Sequence, residues 1–362
     1  MAETRFKLVS DLIDIICTID DVPVSALLEI QYSHTINAGR TVSIAIDSSQ
    51  QRTLARLGAR IDLKVGQNDV TIKDSHNLDF TGIIVEASPS VEFTTFTAVD
   101  FVTFLQTSEY VDYKNNDIVG EDLYFLAAEA CNYKGIDTSR LLKGSGIIAT
   151  EEMGLAGLQT RRQFLDKCFT NMEQFVNDTE HNDVVVVAWR YAIKRNNIMD
   201  FWLEDPLNKR YYMPVMTVSE NSSNLVGDGL VTSVDMTQVV NSATYQSNLD
   251  STKFATVTDS DSVRRFGVRS RLYKVNSGDL EMLAYQAVTR FKEPTFDYTI
   301  TLKNAEHITV GDYIKVRNLA YEKEETLPVV QVTHSFTDNI TTQITLGKPE
   351  LTLKEYIEAG LQ

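Results

Sequence analysis

The apolar residues of this chain fall mostly on alternate positions. Thr41-Val42-Ser43-Ile44-Ala45-Ile46 sets Val42, Ile44 and Ile46 on one face, the two-residue period of a half-buried strand. Asp11-Leu12-Ile13-Asp14-Ile15 and Leu27-Leu28-Glu29-Ile30-Gln31-Tyr32 alternate or run apolar in short blocks, and Asn37-Ala38-Gly39 reads as the turn between two runs. Short strands separated by turn residues predict a barrel or sandwich over residues 6–100.

Beyond residue 100 the period lengthens. Residues 119–130 predict a helix, with Glu121 and Asp122 in its first turn and Gly135 past its end. Thr160 and Gln163 form a capping box. Phe164, Leu165, Cys168, Phe169, Met172, Phe175 and Val176 then recur at helical spacing, opposite Arg162, Asp166, Lys167 and Glu173. Such a stripe serves either a core or a partner helix. Strands resume at 183–190 and 198–203 with a polar hairpin loop at 194–197, and again at 211–218, 225–240 and 254–257. A helix over 278–291 has Ser277 as its cap and Pro294 as its stop. Strands run on from 298 to 346, and Thr352 with Glu355 opens a tail helix.

The pattern predicts a mainly β (α+β) chain of two tandem β-barrels with a helical, mixed insertion between them. Its parts are a first barrel over 1–108, a helical insertion over 109–181, a mixed β segment over 182–240, a second barrel with one helix over 241–351 and a tail helix over 352–362. The two barrels share a grammar. Leu57-Gly58-Ala59-Arg60-Ile61-Asp62-Leu63 opens a strand run that closes through Gly82-Ile83-Ile84-Val85 and Thr94-Thr95-Phe96-Thr97-Ala98. Val310-Gly311-Asp312-Tyr313-Ile314-Lys315-Val316 opens another, which closes through Leu327-Pro328-Val329-Val330 and Thr341-Thr342-Gln343-Ile344-Thr345-Leu346. An apolar residue, a glycine, two variable positions and an alternating strand stand first in each, which predicts two related β-domains.

Charge and cysteine content narrow the chemistry. The 362 residues carry a formal charge of −16, which repels nucleic acid unless basic residues are segregated. Cys17, Cys131 and Cys168 are odd in number and far apart; they form no metal spacing and read as reduced core thiols. The N-terminus lacks the shape of a signal peptide, and no stretch approaches the ~18 apolar residues of a membrane span. Cytosolic synthesis without a membrane anchor is expected.

Catalytic motifs are lacking. Gly144-Ser145-Gly146-Ile147-Ile148-Ala149 matches a dinucleotide fingerprint, with Asp166 about 20 residues on. The polar Asp137-Thr138-Ser139-Arg140 before it is no buried strand, so a loop is expected. His34, His76, His181, His307 and His334 show no ligand spacing, and no serine elbow occurs. The acid pairs Asp20/Asp21, Glu151/Glu152, Asp259/Asp261 and Glu324/Glu325 read as solvated loop acids rather than a glycosidase dyad. No catalytic, metal or cofactor site is expected. One cluster departs from the acidic background: Arg264, Arg265, Arg269, Arg271 and Lys274. It is either a solvated strand edge or a docking site for an acidic neighbour, such as a second copy of the chain; nucleic-acid contact is a third reading.

Val239-Val240-Asn241-Ser242-Ala243-Thr244-Tyr245 resembles the strand that enters the second barrel of baseplate hubs in contractile phage tails and related injection machines. Arg265-Phe266-Gly267 resembles that family's aromatic-glycine step. The helix over 278–291, the Gly311-Asp312 turn and strand, and Val330-Gln331-Val332-Thr333-His334-Ser335-Phe336 with the closing strand at 341–346 follow in the family's order. The resemblance covers about a third of the chain at its C-terminal end, and residues 27–101 fit the first barrel more loosely. It implies a non-enzymatic homotrimer in the virion, whose six barrels present a pseudo-sixfold ring. Such a ring meets the hexameric tail tube on one side and the trimeric central spike on the other, beside baseplate wedge or other tail proteins. The genome would pass through its channel without specific binding. A polysaccharide-active tail tip and a monomeric β-rich binding module are the alternatives.

Overall fold

A computed structural model describes residues 6–7, 13–24, 27–47, 56–67, 76–106, 110–133, 135–178, 183–193, 197–204, 213–275, 279–320, 323–337 and 340–347. The expected tail helix from Thr352 lies outside them. The N-terminal part is a run of strands: β1 (Phe6–Lys7), β2 (Ile13–Ile19), β3 (Val22–Pro23), β4 (Leu27–Thr35), β5 (Arg40–Asp47), β6 (Arg60–Gln67), β7 (His76–Pro89) and β8 (Phe93–Val99). The alternation predicted for β5 holds: Val42, Ile44 and Ile46 are fully buried. Asn37, in the turn between β4 and β5, takes a positive φ of 52°, a region asparagine tolerates better than most residues.

After a middle segment come β14 (Met216–Ser219) and β15 (Leu225–Asp235), and the chain closes with β19 (Thr295–Lys303), β20 (Tyr313–Asn318), β21 (Lys323–Phe336) and β22 (Ile340–Leu346). Five strands of this part repeat five of the first. The order β6-β7-β8-β5-β4 becomes β20-β21-β22-β19-β15, and every neighbouring pair is antiparallel.

The likeness extends to single hydrogen bonds. Gly58 and Gly311 both take a positive φ, 80° and 85°, which glycine adopts without strain. Gly58 N–H donates to Ile84 O at 2.9 Å, and Gly311 N–H to Val329 O at 3.0 Å. Ile84 N–H returns to Ala59 O, as Val329 N–H returns to Asp312 O. One residue further on, each long strand is bulged: the register shifts between Ile84 and Glu86 in β7, and between Val329 and Gln331 in β21. Corresponding positions form the two cores. Ile44 matches Ile300, Ile61 matches Ile314 and Phe96 matches Ile344, all buried.

The expected pair of separate closed barrels is not what forms. Both repeats belong to one 14-stranded sheet that is not closed. The join is β4 against β21, from Thr35 opposite Gln331 to Ile30 opposite Phe336. With its outer edge taken by the other repeat, β4 cannot turn back on its own. The cores interlock accordingly: Phe336 packs in the first cluster and Ile36 in the second.

Two segments interrupt the repeat. The first, residues 100–213, holds α1 (Phe101–Phe104), β9 (Tyr110–Tyr113), α2 (Asn115–Ile118), α3 (Leu123–Ala130), β10 (Gly157–Thr160), α4 (Arg161–Asn171), β11 (Gln174–Asp178), β12 (Asp183–Ile193) and β13 (Met199–Glu204). Thr160 caps α4 as expected, its oxygen accepting from Gln163 N–H. The helix stops at Asn171, short of the predicted Val176. Phe175 and Val176 pair instead with Val186 and Val185 of β12, because aromatic and β-branched residues beside a valine run favour a strand. The rest of the stripe is core: Phe164, Leu165 and Cys168 are fully buried.

The second interruption lies inside the second repeat. Where β4 reaches β5 by a tight turn, β15 reaches β19 only after residues 236–294. These hold β16 (Ser242–Ser247), β17 (Phe254–Thr258), α5 (Ser260–Phe266), β18 (Ser270–Val275) and α6 (Leu280–Phe291). The strands form their own sheet in the order β17-β16-β18. Residues 239–245 therefore do not enter the second repeat's sheet. Val240 and Ala243 pack with Tyr273 against Ala284, Ala287 and Val288 of α6, so a helix buries them. The side chain of Asp279 caps α6, accepting from the N–H groups of Glu281 and Met282; the expected cap, Ser277, lies outside the described residues.

Candidate functional site

The basic cluster sits on the inserted unit, spread over α5, the following loop and β18. Arg264 and Arg265 occupy the last turn of α5, where cations meet the negative end of the helix. Arg264 Nη2 lies 2.9 Å from Asp261 Oδ1, and Arg265 Nη1 lies 2.7 Å from Glu293 Oε1. Arg265 also stacks over the Phe266 ring. Phe266 ends the helix and Gly267, at φ 72°, turns the chain, so the aromatic-glycine step is a helix stop. Arg269 is exposed in the loop, its N–H held by Asn241 Oδ1. Arg271 and Lys274 are separated by three positions on β18 and so point to opposite sheet faces. Part of the cluster's charge is thus paired locally, and Arg271 and Lys274 face opposite sides of their sheet.

The glycine loop does bind an anion, one that the chain supplies. Asp122, the cap of α3, accepts from Tyr124 N–H at 2.8 Å. Its carboxylate also accepts from Ser145 N–H, Ser145 Oγ and Gly146 N–H, at 3.0, 2.7 and 2.7 Å. Partial burial would raise the pKa of this carboxyl, yet the donors at Ser145, Tyr124 and Gly146 hold it below the usual range. The groups that would cradle a pyrophosphate are thus engaged. Asp166, placed by spacing as a ribose-binding acid, pairs with Arg162 at 2.9 Å and accepts from the Tyr191 hydroxyl at 2.9 Å.

Three of the four acid pairs have a member engaged by local partners. Asp20 lies below its usual range through the Arg56 hydrogen bond and then the Arg60 N–H. Asp259 caps α5, accepting from Ser262 N–H at 2.8 Å. Glu324 bonds Lys315 and Arg317, while Glu325 accepts from the Tyr298 hydroxyl at 3.0 Å. Among the described residues no group of three His, Cys, Asp or Glu side chains is gathered as a metal site. The thiols are buried and unbridged; burial lifts Cys17 to about 12.

Sequence spacing missed the polar network where the repeats meet the first interruption. Buried Arg40 pairs through Nε with buried Asp100 at 3.1 Å, and its N–H donates to the same carboxylate at 2.8 Å. Arg40 Nη1 reaches Asp79 O and Nη2 reaches Asn197 Oδ1, at 2.9 and 2.6 Å. Nearby, Tyr191 of β12 donates its N–H to Asn37 Oδ1 at 3.0 Å, and its one hydroxyl proton lies between Asp166 Oδ1 and Asn37 O, at 2.9 and 3.0 Å. His334 is buried beside Thr342, Nδ1 to Oγ1 3.0 Å, and stacks on Tyr32. These groups bind the repeats to one another and to the middle segment.

The fold is shared with solved structures. A tail protein from Neisseria meningitidis superposes with a TM-score of 0.58 at 12% identity, over 94% of this chain and 98% of the other. The chain has the fold of phage tail proteins. A 43 kDa tail protein of prophage MuSo2 from Shewanella oneidensis gives 0.58 at 12% identity, over 92% and 95%. Prophage tail protein gp18 from Listeria monocytogenes gives 0.54 at 12% identity, over 95% and 98%. No family model matches the sequence, and no curated protein matches it. The tail-protein fold thus spans nearly the whole chain, both interruptions included.

Proposed function

We propose that the protein is the structural hub of a phage or phage-like tail baseplate, a homotrimer that joins the hexameric tail tube to the trimeric central spike. The observation that carries this reading is the doubled five-strand unit. Two units per chain give six in a trimer, so a threefold assembly offers a near-sixfold face to a sixfold tube. The tail-protein fold supports a place in the virion tail. The role is structural: the motifs that suggested chemistry are occupied by contacts within the chain. Baseplate wedge or other tail proteins are the further neighbours, and Arg264, Arg265, Arg269, Arg271 and Lys274 are candidate contacts to an acidic neighbour or a second copy of the chain. The formal charge of −16 suits a channel that repels passing DNA.

Sedimentation of the full chain, alone and co-expressed with its spike protein, tests the reading. The expected species has three times the 40.7 kDa chain mass. A monomer under both conditions overturns the hub. A neutral or basic lumen in the assembled ring overturns the charge argument alone.

A further inference from the structure

The inserted α/β unit leaves one face of its sheet open. Side chains of β16, β17 and β18 alternate between the two faces. Ala243, Tyr245, Val257 and Tyr273 pack on the α6 side. The residues between them point the other way, where Phe254 and Leu272 are 64% and 56% exposed. Register orders this open face in three rows. In the first, Ser242 lies between Thr258 and Ser270; in the second, Thr244 lies between Thr256 and Leu272. Ser242 Oγ and Thr258 Oγ1 are 3.0 Å apart, and Thr244 Oγ1 and Thr256 Oγ1 2.8 Å. Each such pair uses one proton, which leaves the second proton and further lone pairs for a ligand. In the third row Gln246 lies between Phe254 and Lys274, so ring, carboxamide and ammonium stand in a line about 10 Å long. Gln246 Nε2 donates to Ser251 O at 2.7 Å, which holds the carboxamide in place.

Such a face suits few partners. A second sheet packs on an apolar inner face, and this one carries five hydroxyls, at Ser242, Thr244, Thr256, Thr258 and Ser270. None of its positions is acidic. Residues 236–294 hold eight Lys and Arg against six Asp and Glu, whereas the whole chain holds 34 against 50. The unit is a basic island on an acidic protein, so its electrostatic complement is an anion. A sugar ring matches the rest of the face. Its C–H groups are drawn to the electron-rich side of an aromatic ring, and its rim of hydroxyls exchanges hydrogen bonds with Ser, Thr and Gln side chains. We propose that the open face of the inserted unit binds an acidic polysaccharide, with one sugar ring on Phe254, hydroxyls on Gln246 and the Thr244–Thr256 pair, and a uronate carboxylate on Lys274. The contact is non-covalent and stands independently of the hub reading.

The test is retention of the full chain on immobilised polymers: polygalacturonate, hyaluronate and alginate as acidic glycans, dextran as a neutral one, and oligo-dT as a polyanion of another class. Retention is expected on acidic glycans alone, weakening as salt rises. Phe254→Ala should weaken it about tenfold through loss of the stacking ring, and Lys274→Gln about threefold through loss of an exposed ion pair. Met282→Ala, on the exposed side of α6, should leave it unchanged. The substituted side chains are exposed, so melting temperatures equal to the parent's separate lost binding from lost fold. No retention on any glycan overturns the proposal. Equal retention on dextran overturns the carboxylate contact. Retention that Phe254→Ala leaves intact overturns the face as the site, and a tighter hold on oligo-dT than on every glycan overturns the ligand.

Discussion

The two five-strand repeats have one topology and different surroundings. In the first, β4 turns into β5 within residues 36–39, and its outer edge is covered by β21. In the second, β15 reaches β19 only through an inserted α/β unit, and among the described strands its outer edge ends the sheet. Corresponding positions therefore differ in burial: Ile30 is fully buried, Leu230 half-buried. The difference teaches that burial in a sheet depends on the next strand as much as on the residue itself. It also shows where each repeat draws its stability. The first places a buried ion pair at Arg40, where the register of the second places Phe296 under the ammonium of Lys323, 3.7 Å from the ring centre.

Removing the ion pair breaks the comparison hardest. Arg40→Met leaves the buried Asp100 carboxylate without its cation, and burial then drives its pKa further up. A loss of ~3–5 kcal/mol is expected in urea unfolding. Arg40→Met with Asp100→Asn should recover much of it, since the uncompensated charge is gone. A single variant as stable as the parent would show the network to be idle.

His334 belongs to the covered side, and Pro89 holds its place in the exposed one. Burial lowers the imidazole from 6.5 to about 4, against the smaller opposing pull of the Ile308 backbone. As pH falls, the unfolded chain takes up this proton first. Stability is thus complete above about pH 6.5 and declines toward pH 4, by about 3 kcal/mol in all. Denaturation midpoints across that window should fall in the parent, and fall less in His334→Gln. Equal slopes would place the acid sensitivity elsewhere.

The turn glycines test whether equivalent positions carry equal cost. A Cβ on Gly58 meets nothing within 4 Å, whereas one on Gly311 comes 3.0 Å from Trp202 Cζ2. Gly58→Ala should cost ~1–2 kcal/mol from backbone strain alone, and Gly311→Ala about 1 kcal/mol more through the indole contact. Melting temperatures that rank the two the other way would show that Trp202 yields freely.

The smallest effect lies outside both repeats. Asp122→Ala removes a helix cap and the anchor of the Gly144–Gly146 loop. About 1–2 kcal/mol is expected, with amide exchange rising first at Ser145 and Gly146. Unchanged protection there would mean that the loop holds itself.

Much of this was legible along the chain. The alternation of β5, the capping box of α4 and the glycine grammar of the two turns each predicted a local structure that formed. The repeat was visible because each copy needs a glycine at positive φ and alternating apolar residues in the same places. The dinucleotide match misled because a loop whose N–H groups hold the Asp122 side chain has the same spacing as one built for phosphate. Phe175 and Val176 fitted the helical stripe, yet pairing with Val186 and Val185 outweighed that periodicity.

By itself, then, the sequence determined which residues turn, which alternate and that one unit occurs twice. These follow from backbone sterics and side-chain period, which act over a few neighbours. Only the tertiary structure decided that the repeats share one open sheet, that an α/β unit interrupts the second, and that Arg40 meets Asp100. Those outcomes depend on pairings such as Ser33 with Thr333, 300 residues apart. A half-buried strand edge presents the same alternation whichever partner will cover it, so the partner is chosen by three-dimensional fit.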